Sequence, residues 1–459
     1  MHTQNNYKDK NVLVLGLAKS GYYAAKLLLK LGAQVTVNDA ADLAHSNEAK
    51  ELEATGVMVI SGSHPDNLLD AGFDLIVKNP GIPYTNTVLE QAQKLDLPII
   101  TEIEIASAVT DASIIGITGT NGKTTTTSII YEMLSLGRQQ GSAYAIGNIG
   151  VPASKVALDL SENDDAVMEL SSFQLMGAPT LHPEISVITN LYSAHLDFHG
   201  SQEAYEEAKI NLILNQTTED YVIYNADQPH LVKWIDEKAQ AQKLPFSRER
   251  FLEKGICAVD GKIYFNQEEI AKISEIFLKG LHNLENFLAA IGVAKVKGVS
   301  NEVIQRVLRQ FQGVKHRTQY VREFEGRIFY NDSKATNIEA TENALKGFEQ
   351  PIILLAGGLD RGNTFDDLIP ALKNNVKALI TFGETTDKMI EAAERAGIAQ
   401  IVSAEDVKAA VPQAYAVSEP GDVILLSPAA ASWDQYPNFE VRGDVYIEAI
   451  EQLIDKENQ

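Results

Sequence analysis

The segment Gly116-Ile117-Thr118-Gly119-Thr120-Asn121-Gly122-Lys123-Thr124-Thr125 places glycines, a lysine and hydroxyls between an apolar run and a helical pattern. Glycines allow a tight turn whose N–H groups face phosphate oxygens, and a helix N-terminus adds partial positive charge there. Lys123 can reach terminal phosphates, and the Thr124 hydroxyl can coordinate Mg²⁺. Ile117 replaces the first glycine of the usual Gly-x-x-x-x-Gly-Lys-Ser/Thr pattern, and the glycines stand at 116 and 119 instead. This counts against an ordinary GTPase or kinase but not against phosphate binding. The bland reading is a glycine-rich turn with an exposed lysine, yet Gly-Lys-Thr after an apolar strand is rarely incidental.

Three further side chains accompany this loop. Glu169 ends the apolar run Ala166-Val167-Met168 and precedes Leu170-Ser171-Ser172-Phe173-Gln174. A carboxylate at the C-terminal end of a strand suits Mg²⁺, or is an ordinary acid at a helix start. His195 follows another apolar run, Ile185–Thr189, and reads as a metal ligand or a structural histidine. Lys209 lies in the helical stretch Tyr205-Glu206-Glu207-Ala208-Lys209. By itself it reads as a solvated surface lysine.

A second glycine turn, Gly16-Leu17-Ala18-Lys19-Ser20-Gly21, also ends an apolar run and opens a helix, with Asp39 about twenty residues on. Ala18 stands where the middle glycine of a dinucleotide fingerprint would be. A diphosphate sugar nucleotide, NAD or FAD, and a purely structural turn all remain open. Asn79-Pro80-Gly81-Ile82 could wall the same crevice or be only a tight turn.

These groups need a scaffold that brings strand ends together, and the hydrophobic pattern supplies one. Apolar runs at 12–15, 34–37, 57–60 and 74–77 alternate with amphipathic stretches, which predicts a parallel sheet covered by helices. A second set has strands at 113–118, 166–170, 185–189 and 221–224, with helices at 122–136, 202–215 and 282–297. Short strands and turns follow at 246–278. A third α/β set has strands at 328–331, 352–355, 378–382 and 423–426. At 459 residues the chain holds roughly three domains, with joints near 108 and 313.

Composition narrows the class. The net charge, 39 − 62 = −23, argues against DNA or RNA as the main partner. No apolar run approaches the ~18–20 residues of a membrane helix, and the N-terminus lacks a secretory apolar core. The single cysteine, Cys257, excludes an internal disulfide or a thiolate-rich metal site. A cytoplasmic protein is expected.

The ordered motifs resemble the Mur ligases. They are Gly119–Thr124, Glu169-Leu-Ser-Ser-Phe-Gln174, Asn190-Leu191 with His195, Lys209, Gly280-Leu-His-Asn-Leu-Glu-Asn286, His316-Arg317, Asn331–Asn337 and Leu426–Ser432. The likeness runs from Gly16 to about Gly443. The stretches 331–337 and 426–432 resemble the branch that adds D-glutamate. The Asp-Asn-Pro-Arg type motif of the tripeptide-forming sister is not found. Folylpolyglutamate synthases share the loop but lack the N-terminal domain.

The resemblance implies three α/β domains. A Rossmann-like UDP-sugar domain (1–108) precedes a P-loop ATPase-like domain (109–312) and a Rossmann-like amino-acid domain (313–459). It implies an ATP-dependent amide ligase working through an acyl phosphate in cytoplasmic peptidoglycan precursor synthesis, and thereby in cell shape and division. A monomer that meets small-molecule substrates alone is expected.

Carried over residue by residue, it assigns Gly119, Thr120, Asn121, Gly122, Lys123, Thr124, Thr125, Asn148, Asn286, Arg317 and Asp332 to ATP. Lys123, Glu169, His195, Lys209 and Lys334 become catalytic. Two Mg²⁺ ions are expected on Thr124, Glu169, His195 and Lys209, with Lys209 carbamylated. Leu17, Ala18, Asp39, Asn79, Ser171, Gln174 and His195 would meet the UDP-sugar. Thr336, Arg361, Ser432 and Phe439 would meet D-glutamate. Arg361 stands where some relatives carry a lysine, and Trp433 where smaller apolar residues are common.

Overall fold

Strands β1 (Asn11–Leu15), β2 (Gln34–Asp39), β3 (Met58–Ser61), β4 (Leu75–Lys78) and β5 (Ile99–Ile100) form the first sheet of the computed structural model, which describes residues 6–362 and 364–457. The order is β3-β2-β1-β4-β5, all parallel. Successive side chains of a strand point to opposite faces. Val12 and Val14 accordingly join one core cluster, while Leu13 and Leu15 join the other. Both faces are covered, which is why these strands read as continuous apolar runs. The order reverses between β1 and β4, so a crevice opens beyond their C-terminal ends.

The second sheet contains β6 (Ser113–Thr118), β7 (Ala143–Gly147), β8 (Asp165–Glu169), β9 (Ile185–Ile188), β10 (Tyr221–Asn225), β11 (Gln242–Ser247), β12 (Ile256–Val259), β13 (Lys262–Phe265) and β14 (Glu268–Lys272). Its order is β14-β13-β12-β11-β10-β9-β6-β8-β7. β7 through β12 pair in parallel, and β12-β13-β14 is an antiparallel meander. The meander occupies the stretch read as short strands and turns. The helix Lys123–Gly137 packs on the helix Leu281–Val296.

The third sheet contains β15 (Gln319–Phe324), β16 (Arg327–Asn331), β17 (Ile352–Gly357), β18 (Val376–Phe382), β19 (Gln400–Ser403) and β20 (Val423–Leu426). Its order is β15-β16-β20-β17-β18-β19, with only the β15-β16 pair antiparallel. Two core clusters cover its faces: Leu354 and Leu425 belong to one, Ile353 and Ile424 to the other. The expected three α/β sheets are therefore present. The chain falls into two compact units, Met1–Phe311 with the first two sheets and Gln312–Gln459 with the third. Among the described residues no helix is long and apolar enough to cross a membrane.

Candidate active site

β6 ends at Thr118 and the chain turns through Gly119 (φ 147°) and Gly122 (φ 81°) into the helix that starts at Lys123. A side chain is excluded at both glycines. A Cβ on Gly119 would lie 2.0 Å from Thr189 Oγ1, and one on Gly122 would lie 2.2 Å from Asn286 Oδ1. The loop is pinned from the end of β9. Asn190 accepts from the Asn121 N–H at 2.9 Å, while Thr189 Oγ1 and Asn190 Nδ2 donate to the Asn121 carbonyl at 2.7 and 3.1 Å. Thr120 Oγ1 accepts from the Tyr192 N–H at 2.9 Å and the Tyr205 hydroxyl at 3.1 Å. Sequence reasoning assigns no site role to Thr189, Asn190 or Tyr205, although Asn190-Leu191 belongs to one of the motifs and Thr189 and Asn190 directly follow an apolar strand.

Lys123 folds over its own loop and donates to the carbonyls of Gly119 and Thr120, both at 2.9 Å. Thr124 is buried in the first helical turn. Thr126 donates to Asn286 at 3.2 Å, so Asn286 reaches the loop from the helix Leu281–Val296.

Glu169 lies level with Ile117 on β6 and Gly147 on β7, and is 2% exposed. Its Oε1 accepts from Asn148 Nδ2 at 2.7 Å, whereas the buried Oε2 has no hydrogen-bond partner. A buried carboxylate oxygen left unsatisfied costs about 1–3 kcal/mol or more, and a divalent cation would remove that cost. The residues present therefore fit Mg²⁺ at Glu169, on the strand next to the one that leads into the loop.

The surface reading of Lys209 is wrong: the side chain is 1% exposed. The helix Gln202–Ile210 turns it inward, Nζ donates to the Gly119 carbonyl at 2.8 Å, and it lies 4.7 Å above the Tyr205 ring. Burial, reinforced by the Lys123 charge and opposed by Glu169, holds its amine well below the usual lysine range. His195 caps the short helix Leu196–His199 in a left-handed conformation (φ 54°) and is exposed. Its ring meets Phe173 edge-on at 5.1 Å and stands 6.0 Å from Tyr205. His199, also unforeseen, stacks on Phe173 and hydrogen-bonds the Ser172 hydroxyl at 3.0 Å. Among the described residues no three His, Cys, Asp or Glu side chains form a metal-binding group.

In the first sheet, Asp39 at the end of β2 accepts from the Leu17 N–H at 2.7 Å and the Ala41 N–H at 2.9 Å. Ala18 is the N-cap of the helix Lys19–Lys30. Asn79 donates to the Ser20 hydroxyl at 3.1 Å and so packs against the glycine turn. Leu17, Ala18, Asp39 and Asn79 therefore gather at the crevice between β1 and β4. Ser171 and Gln174 form a capping box at the start of a short helix, which gives both a structural role.

In the second compact unit, Asp332 follows β16 and is buried. It accepts from the Thr318 N–H and the Ser427 hydroxyl, both at 2.9 Å. Burial pushes its carboxyl up to about 6, against these donors and the Arg317 charge. Lys334 stands 5.9 Å from the Phe439 ring, whose carbonyl accepts from Ser333 at 2.8 Å. Arg442, which no motif signals, is fully buried and donates to the carbonyls of Ser333, Gly357 and Ala430. One guanidinium thus ties together the loops that carry Lys334, Arg361 and Ser432. The Arg361 guanidinium stacks 4.8 Å from the exposed Trp433 ring. Thr336 is half-buried and Ser432 buried in the same unit.

Known proteins are similar to this chain along nearly its whole length. Residues 10–101 match the MurD-like N-terminal domain of Mur ligases, 117–294 the Mur ligase middle domain, and 316–430 the Mur ligase glutamate ligase domain. The "UDP-N-acetylmuramoylalanine--D-glutamate ligase" of Enterococcus hirae is 56% identical over 450 residues, 98% of this chain and 97% of that protein. The protein of the same name from Lactiplantibacillus plantarum is 54% identical over 99% of both chains. Among solved structures, MurC from Thermotoga maritima aligns with a TM-score of 0.56 at 17% identity, over 96% of this chain and 99% of that one. MurF from the same organism, in complex with ADP, gives 0.54 at 18%, over 100% and 98%. Members of this family use ATP and Mg²⁺. A phosphate loop, its buried carboxylate partner and three matched domains in sequence lead to one assignment: the chain belongs to the Mur ligase family.

Proposed function

We propose that this chain is an ATP-dependent amide ligase that joins D-glutamate to UDP-N-acetylmuramoyl-L-alanine, acting as a cytoplasmic monomer in peptidoglycan precursor synthesis. The observation that carries the reading is the loop at Gly119–Thr125 with Glu169 buried beside it, in a chain more than half identical to curated ligases of that name. A two-unit fold with a phosphate site in one unit and a separate arginine-tied loop cluster in the other suits a three-substrate reaction.

The alanyl carboxylate of the UDP-sugar attacks the γ-phosphorus of ATP, and ADP leaves. The D-glutamate amine then adds to the acyl phosphate carbonyl, loses a proton, and the tetrahedral intermediate expels phosphate. Catalysis of this kind rests on positioning and charge stabilisation. Loop N–H groups and the helix N-terminus hold the phosphates, and Lys123 swings from its backbone carbonyls to the transferring group. Asn148 and Asn286 flank the adenine side, and Arg317 and Asp332 take the ribose and phosphates. Leu17, Ala18, Asp39 and Asn79 receive the uracil end of the substrate. Lys334, Thr336, Arg361, Ser432 and Phe439 receive the incoming glutamate, with Arg361 suited to a bidentate grip on its side-chain carboxylate.

Thr124 and Glu169 would hold one Mg²⁺, and His195 with Lys209 a second; bound there, the metal neutralises charge between the two anionic substrates. Lys209 can serve only if its cation is converted. Its depressed amine keeps a neutral fraction that can add to CO₂, forming an N–C bond and losing a proton to leave a carbamate. That anion would compensate for the shortage of acidic ligands in this region.

The test is phosphate release from ATP with UDP-N-acetylmuramoyl-L-alanine, comparing D-glutamate with L-glutamate, L-lysine and D-alanine. Release that needs both the nucleotide substrate and D-glutamate is expected. Release with another amino acid moves the step within the family, and no release with any of them overturns the reading.

A further inference from the structure

Lys78, the last residue of β4, is 1% exposed, and among the described residues its ammonium is paired with backbone carbonyls and with no carboxylate. Nζ donates to the carbonyls of Ile82 at 2.9 Å, Pro80 at 3.1 Å and Asn79 at 3.4 Å, and stands 4.9 Å from the Tyr84 ring centroid. Burying a charge without a counter-charge lowers fold stability. Burial alone pulls this amine down to about 8. A methionine would fill the same volume and remove that charge, but it would leave the carbonyls without a donor. A cation kept where it weakens the fold indicates a gain elsewhere.

The gain lies in the turn it grips. The Asn79 N–H donates to the Leu15 carbonyl at 2.8 Å, and the Asn79 side chain donates to Ser20. The far side of the turn touches the glycine turn: a Cβ on Gly16 would lie 2.9 Å from Asn79 Cβ and 3.0 Å from Ile82 Cδ1. Three carbonyls turned inward on one point repel one another and need a donor at the centre. A lysine ammonium has three N–H groups and satisfies all of them. Without it these carbonyls would turn to water, and the wall facing Gly16 and Leu17 would move. The site lies at the reversal of strand order, where open α/β sheets take their ligands.

We propose that Lys78 is a positioning residue for the nucleotide-sugar substrate: its ammonium clamps the Asn79–Ile82 turn into the shape that receives the uridine diphosphate end. This rests on the ligase reading above. The variant is Lys78→Met in the full chain. The KM for UDP-N-acetylmuramoyl-L-alanine rises roughly ten- to hundredfold, the range for displacements of the order of 1 Å. The KM values for ATP and D-glutamate and kcat stay within about twofold. Lys78→Gln, which keeps two donors and no charge, gives a smaller KM increase and carries the same test if the methionine variant does not fold. A folded variant with unchanged KM for the nucleotide substrate overturns the proposal, as does a uniform fall in every parameter. If the unsubstituted enzyme does not ligate, the functional reading fails instead. Calorimetric titration of UDP into both proteins then decides the clamp, weaker binding to the variant supporting it and equal binding refuting it.

Discussion

Replacing Asp332 by asparagine should make this protein more stable at neutral pH while impairing it as an enzyme. The carboxyl is almost wholly buried, with one oxygen on the Thr318 N–H and the other on the Ser427 hydroxyl. Burial lifts its pKa from 3.8 to about 6. The folded state therefore binds this proton more tightly than the unfolded chain. The resulting stability is fully present below 3.8 and is lost as pH rises through about 6. Ionising a carboxyl displaced this far costs the fold ~3 kcal/mol at pH 7 and above. The asparagine oxygen can still accept from Thr318, and the Ser427 hydroxyl can rotate to accept from the amide, so the substitution removes the charge and keeps the contacts. Each kcal/mol moves the midpoint of a unit this size by ~2–4 °C, giving a gain of ~6–12 °C above pH 7 that shrinks toward zero near pH 4. The assay is thermal unfolding of the full chain and Asp332→Asn from pH 4 to 8. Hydrogen exchange of β17 amides would show that the second compact unit is the one stabilised. A difference independent of pH, or a loss of stability at pH 7.5, would refute the claim that burial outweighs the donors.

Three further outcomes are expected. Gly122→Ala forces a side chain into a left-handed position 2.2 Å from Asn286 Oδ1, so ATP-dependent turnover should fall at least tenfold, read from initial rates. Turnover should drop in CO₂-depleted buffer and recover on adding bicarbonate, with Lys209→Met unresponsive to both; equal rates with and without CO₂ would exclude the carbamate. Trp433→Ala removes the ring beneath Arg361 and should raise the KM for D-glutamate about two- to fivefold, the worth of an exposed cation–π contact. An unchanged KM there would place the pair outside the amine site.

The legible parts of the fold are the strands buried on both faces. β1, β6, β17 and β20 are continuous apolar runs, and nothing competes with that signal. β7 and β19 give no such signal. Ala143–Gly147 mixes small and aromatic residues, Gln400–Ser403 has polar ends, and each lies at the edge of its sheet and is incompletely buried. In the site, residues on sharp backbone turns announce themselves, because glycine, lysine and threonine at fixed spacing have few other uses. Lys209 does not, since helical spacing alone cannot say which turn faces inward. Arg442 lies in the last helix with no pattern around it, and its role depends on three carbonyls distant in sequence.

The Gly119 carbonyl has a consequence of its own. It receives two ammonium groups, Lys123 at 2.9 Å and Lys209 at 2.8 Å. One oxygen with two lone pairs is thus a shared mooring for two like charges that push each other away. Any phosphate that recruits Lys123 must draw it off this mooring, so recruitment is an exchange of partners with a modest net gain. Converting Lys209 from cation to anion reverses the sign of the neighbour's field and turns a repelled tenant into an attracted one. A single added carboxylate group would then reset the threshold at which the loop releases its lysine, tying the readiness of the phosphate site to dissolved carbon dioxide through one backbone oxygen.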